Sequence, residues 1–124
     1  MRLLALLVIV LSCSSSLAAD VDAKTQAEIA HLFDQMQQSN CQFARNGSWY
    51  SAAEAVHHID KKYQYLLKRT AVRSTENFIE RAASRSSISG QPYRVKCGGS
   101  AAIESAEWFQ AELDVFRKQN ESTR

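Results

Sequence analysis

Apolar residues recur along this chain mainly at the three-and-four spacing that lays a stripe down one face of a helix. From Asp22 to Gln38 the stripe is Ile29, Leu32, Phe33 and Met36. Asp22 precedes it, where its carboxylate can accept the free amides of the first turn. A longer stripe holds Ala52, Ala55, Val56, Ile59, Tyr63, Leu66 and Leu67 and runs to about Arg69. Ahead of it, Ser51-Ala52-Ala53-Glu54 has the form of a capping box, in which Ser and Glu satisfy each other's exposed amides. A shorter helix opens at Ser74 or Thr75 and carries Phe78, Ile79, Ala82 and Ala83. For the last helix, Ser100 is the expected cap and Ala102, Ala106, Phe109, Leu113 and Phe116 the seam, with a polar, fraying tail from Lys118.

The segments between these stripes are turn-rich. Ser39 to Tyr50 is too short and irregular for a helix, and Asn46-Gly47 within it is a turn signal because both residues tolerate positive φ. Gly90 and Pro92 mark another turn. Tyr93 to Cys97 alternates apolar with charged residues, which predicts an extended segment, and pairing Phe43 with Val95 would set it beside Cys41. Four helices on short loops must bury their stripes against one another. The expected fold is therefore all-α, a small helical bundle of about four helices with at most a minor two-stranded ribbon.

The first residues change the picture of where this domain works. Arg2 is followed by an apolar run from Leu3 to Leu11, then a small-residue stretch ending Ser16-Leu17-Ala18. That pattern predicts a secretory signal peptide over residues 1–18, cut after Ala18, and a single domain over 19–124. The run is too short to span a membrane, which takes about 20 apolar residues. Val10-Leu11-Ser12-Cys13 offers an alternative, a lipoprotein-type box whose lipidated Cys13 would tether the chain to a membrane surface. Ordinary cleavage is the better reading, since lipidation leaves an unusually short leader and leucine is atypical two places before such a cysteine. The expected location is the exterior of the cytoplasm, in a bacterium the periplasm.

Charge excludes more than it suggests. The net charge of +2 falls to +1 when Arg2 leaves, and acidic and basic residues are interspersed. No dense basic patch of the kind that holds nucleic acid is present, so no nucleic-acid partner is expected. Loss or lipidation of Cys13 leaves Cys41 and Cys97. In an oxidising compartment these two are expected to form a disulfide, because they lack C-x-x-C spacing and no histidine cluster at metal-finger intervals accompanies them. No metal site and no cofactor are expected.

Two stretches carry a resemblance. The first is Phe43-Ala44-Arg45-Asn46-Gly47 with Glu54-Ala55-Val56 and His58-Ile59. The second is Thr75-Glu76-Asn77-Phe78-Ile79 with Ser86-Ser87-Ile88-Ser89-Gly90-Gln91-Pro92-Tyr93. Together they resemble the YfeK-like family of small exported bacterial proteins, a domain of unknown function, from the first helix to about Tyr93. The resemblance implies a bacterial, periplasmic protein and brings no activity with it. It does not require cysteines at both Cys41 and Cys97, so the disulfide would be an added staple.

Three constellations could carry chemistry. His57 and His58 point about 100° apart on a helix, whereas Glu54 and His58, and His58 and Lys62, share a face at i, i+4. A small serine-dependent hydrolase would use Ser87 or Ser89 as nucleophile, His58 as base and Glu54 to orient it. Ser-Ile-Ser-Gly is not a Gly-x-Ser-x-Gly elbow, however, and serines beside Gly and Pro ordinarily brace turns. Arg45-Asn46-Gly47 with Trp49 and Tyr50 fits recognition better, as an arginine fork, an amide and two aromatics suit a carboxylate or a sugar face. The candidate binding set is Arg45, Asn46, His58, Ser87 and Tyr93, with no catalytic residue assigned. The expected function is a non-enzymatic binding or interaction domain of the cell envelope, its partner an envelope protein or a cell-wall component. The alternatives are the hydrolase and a membrane-tethered lipoprotein.

Overall fold

The computed structural model describes residues 21–124. The leader, its cleavage site and Cys13 lie outside the described residues. Among the described residues four helices occur, α1 (Ala23–Gln38), α2 (Ala52–Lys68), α3 (Thr75–Ala82) and α4 (Ser105–Ser122). Their starts follow local chemistry. Asp22 accepts the Thr25 amide at 2.7 Å, Ser51 and Glu54 close the capping box, and Ser74 accepts the Asn77 amide at 3.0 Å.

The fold is not all-α. Four short strands, β1 (Gln42–Arg45), β2 (Ser48–Tyr50), β3 (Arg94–Lys96) and β4 (Ile103–Glu104), form one antiparallel sheet in the order β2-β1-β3-β4. The architecture is α+β, with helices packed on one face of the sheet. Asn46-Gly47 turns the β1–β2 hairpin, Asn46 at φ 51° and Gly47 at φ 82°, the left-handed conformations that a two-residue hairpin turn requires. Phe43 does pair with Val95, so the expected ribbon exists, but it is the centre of a four-stranded sheet.

The expected cap of the last helix is also corrected. Ser100 instead closes a turn, its amide donating to the Cys97 carbonyl at 3.1 Å. The chain then pairs Ile103 with Val95 and Glu104 with Arg94 before α4 begins at Ser105, whose amide donates to the Tyr93 carbonyl at 2.8 Å. The Tyr93 carbonyl thus takes the first amide of the helix, and Glu104 at the N-cap makes no side-chain bond. At the other end the helix continues through the polar residues to Ser122.

Strand alternation decides what faces inward. Register pairs Gln42 with Lys96, Phe43 with Val95 and Ala44 with Arg94. The same register sets Cys41 opposite Cys97 and Arg45 opposite Tyr93. The inner ladder therefore reads disulfide, apolar pair, then Arg45 and Tyr93 at the far end. Cys41 and Cys97 are bonded, their Cα atoms 4.3 Å apart. Phe43 and Val95 join Ile29, Leu32, Met36, Ile59, Phe78, Phe109 and Leu113 in one buried core. Trp108 meets Phe43 edge to face, ring centroids 5.7 Å apart.

Candidate functional site

At the Arg45–Tyr93 end of the ladder the sheet and α2 separate, leaving a cleft of about 730 Å³. Three structural rules place its side chains. Period two along β1 turns Arg45 inward two residues after Phe43, and β2, through the Phe43–Tyr50 pair, adds Tyr50 to the same face. Spacing of four along α2 stacks Glu54, His58 and Lys62. The segment entering β3 supplies Tyr93, which is buried.

The polar groups form a continuous chain. Arg45 Nη1 lies 2.7 Å from His58 Nδ1 and 2.8 Å from Nε2, and Nε2 lies 3.2 Å from the Tyr93 hydroxyl. Lys62 Nζ donates to the Arg85 carbonyl at 2.8 Å and to the Tyr93 hydroxyl at 3.2 Å. One arrangement satisfies each of these contacts. Nδ1 accepts from Arg45, Nε2–H donates to Tyr93, and the Tyr93 oxygen takes this donor and Lys62 on its two lone pairs. His58 is then neutral, and the Tyr93 proton is left over to donate.

The surroundings favour that state. Burial first, then the charges of Arg45, Lys62, Lys61 and the neighbouring His57, hold the His58 pKa below its usual value. Burial and Arg45 depress Lys62 in the same way. Burial raises the Tyr93 pKa although Arg45 opposes it, so the phenol keeps its proton. Around this chain the lining includes Lys61 and Arg81 but a single carboxylate, Glu54. That carboxylate already accepts the Ser51 amide at 3.1 Å. The described residues form ion pairs only at Arg117, with Glu28 and with Glu76, so neither Arg45 nor Lys62 is neutralised. Ser105 Oγ, fully buried in the wall, also has no hydrogen-bond partner among the described residues.

Of the sequence candidates, Arg45, His58, Ser87 and Tyr93 line this cleft. Asn46 lies outside its wall and braces the rim. It accepts the Ser89 hydroxyl at 2.6 Å and donates to Ser86 at 3.3 Å, tying the hairpin turn to the 86–90 loop. Ser86 in turn accepts the amides of Ile88 and Ser89, both at 3.3 Å. Trp49 and Tyr50 part company, because alternation sends Trp49 to the outer face, where Lys96 lies 5.7 Å from its ring. Lys62 was the residue the sequence undervalued; its signal was the four-residue interval from His58.

The serines, His58 and Glu54 do not form the expected alternative's triad among the described residues. Among the described residues neither Ser87 nor Ser89 bonds to His58, whose nitrogens face Arg45 and Tyr93, and Ser89 is committed to Asn46. Glu54 is committed to the helix cap. Among the described residues no group of three or more His, Cys, Asp or Glu side chains is placed to hold a metal ion. No described helix is long and apolar enough to cross a membrane.

Comparison with known proteins places the chain in a family. Residues 23–117 match the family of unknown function DUF5329. Over 76 residues the chain is 36% identical to the uncharacterized protein YfeK of Salmonella typhimurium (strain LT2), covering 60% of this chain and 62% of that protein. The chain thus spans somewhat less than two thirds of that relative's length. No solved structure matches it. Since the family match runs from the first residue of α1 through the sheet and most of α4, the chain belongs to the DUF5329 family and is a YfeK-like domain of unknown function.

Proposed function

We propose that this protein is an exported, non-enzymatic binding domain of the bacterial envelope, and that the cleft between α2 and the sheet is its recognition site for an oxyanion. One observation carries the reading: Arg45, Lys62 and the Tyr93 hydroxyl converge with donors to spare, and among the described residues no carboxylate pairs with either cation. Arg45 has five N–H groups and one protein acceptor among the described residues, His58. An anion here would gain charge-assisted hydrogen bonds in a partly desolvated setting. Export is supported by the charged start, apolar run and Ser16-Leu17-Ala18 of the leader.

Intact and native mass spectrometry of the protein recovered from the envelope fraction tests both parts. The mature chain is expected to begin at Ala19 and to carry a bound anion that the Arg45→Gln/Lys62→Gln variant lacks. A chain acylated at Cys13 would move the location to a membrane surface. Identical ligand loading of wild type and variant would remove the site.

The neutral His58 adds a pH signature. An anion beside the ring offsets the repulsion from Arg45, Lys62, Lys61 and His57 and so raises the His58 pKa, which means that binding takes up a proton. Sulfate, whose charge is constant over the range, is expected to bind more tightly as pH falls from 8 towards 5.5. His58→Gln should flatten that slope while leaving some affinity. Calorimetric titration in two buffers of different ionisation enthalpy measures the proton uptake directly.

A further inference from the structure

The cleft is far larger than a small inorganic anion needs, and its walls say what fills the remainder. Its volume of about 730 Å³ falls in the range of roughly 300–1,000 Å³ occupied by organic ligands. The floor beneath the polar chain is apolar, made by Phe43, Ile59 and Leu66. Tyrosine rings arrive from three separate elements: Tyr50 from β2, Tyr65 from α2 and Tyr93 from the approach to β3. The cations are set against these rings. The Arg45 guanidinium lies 5.5 Å from the centre of Tyr50, and Lys62 Nζ lies 4.9 Å from that of Tyr93. Tyr65 is 55% exposed at the mouth, with the Arg69 guanidinium 4.4 Å from its ring centre and more than half of the residue's surface still open.

From this arrangement we infer that the ligand is an aromatic oxyanion, a flat ring bearing a carboxylate or phosphate head. The inference rests on the anion-site reading above and specifies what the anion is attached to. The head meets Arg45, Lys62 and the Tyr93 hydroxyl. The ring lies on the apolar floor and offers its positive edge to the negative faces of Tyr50 and Tyr65, a geometry that favours a flat aromatic over a puckered ring of similar size. An aliphatic anion of equal area gains the burial and loses the face-to-edge contacts.

A calorimetric panel on the mature protein separates these levels. Benzoate and phenyl phosphate are expected to bind about tenfold more tightly than acetate and inorganic phosphate, and several-fold more tightly than cyclohexanecarboxylate. Tyr65→Leu, at an exposed position where folding is not at stake, should cut benzoate affinity several-fold and leave acetate unchanged. Tyr50→Leu should act in the same direction. Acetate and phosphate binding as tightly as their aromatic counterparts, or cyclohexanecarboxylate matching benzoate, would overturn the ring assignment and leave the anion site standing. Failure of every anion in the panel to bind would overturn both.

Discussion

Replacing Cys41 and Cys97 together by alanine is expected to cost about 4 kcal/mol of unfolding free energy. The two residues lie 56 positions apart, so the bond forbids the unfolded chain most of the conformations in which those ends separate. For a domain of this size such a loss lowers the thermal midpoint by on the order of 20 °C. Urea titrations of the oxidised protein, the reduced protein and the double variant measure it. The last two curves should nearly coincide, with a steeper denaturant dependence than the first because the uncrosslinked chain exposes more surface when unfolded. A loss below about 1 kcal/mol would mean that the unfolded chain keeps these ends together unaided. The cleft should survive the change. Arg45 and Tyr93 occupy the opposite end of the inner ladder, and the buried Phe43–Val95 pair between them and the disulfide fixes the register. Sulfate affinity well below the transition should accordingly match the wild type.

Helices and sheet were unequally legible in the sequence, for a physical reason. A helix of sixteen residues such as α1 repeats its apolar interval several times, and caps such as Ser51 with Glu54 mark its start with side-chain chemistry. The strands run two to four residues, barely one period of an alternating pattern. Ile103 and Glu104 show the limit. Alone they read as the first turn of the helix that follows, and only Val95 and Arg94, already fixed across the sheet, make them a strand. A non-local partner overrode the local preference, which is the usual way β-structure escapes a linear reading.

The cleft follows the same division. Arg45, His58 and Tyr93 stood out as chemistry-bearing side chains near turns, and the long helix fixed His58 against Lys62. Their convergence depends on the register of β1 against β3, which no interval along the chain displays. Asn46 shows the converse. Its amide looked like a recognition group, and the fold spends it on Ser86 and Ser89, stiffening the rim beside the site. Short strands and a braced loop therefore hold the donors in place, and an anion bound as proposed would need to impose little further ordering.

Glu28 was the residue least visible in advance, and removing it should have the second large effect. It lies on α1 within the apolar stripe and is only 3% exposed. Its carboxylate accepts the Thr75 hydroxyl at 2.8 Å and Arg117 through Nε at 2.6 Å and Nη2 at 3.2 Å, while Arg117 also pairs with Glu76. One side chain thus joins α1, α3 and α4. Glu28→Ala is expected to cost about 2–3 kcal/mol, below the full penalty of a broken buried pair because Arg117 is one-third exposed and keeps Glu76. Part of the cost is the buried Thr75 hydroxyl left without its acceptor. Glu28→Gln keeps the shape and should cost about half as much. Replacing Glu28 and Arg117 together by methionine should cost less than the two single changes combined, since no uncompensated charge remains. Acid provides an independent check. Hydrogen bonding and charge from Arg117 hold the Glu28 and Glu76 carboxyls below the usual carboxylate value. A depressed folded pKa gives stability that is complete above the unfolded value, about 4.3, and is lost as pH falls through the folded one. Chemical denaturation between pH 6 and 3 should show a steep decline in the wild type and a shallower one in Glu28→Gln, which has one fewer proton to bind. Equal slopes would place the acid sensitivity elsewhere and reduce the three-helix clasp to ordinary packing.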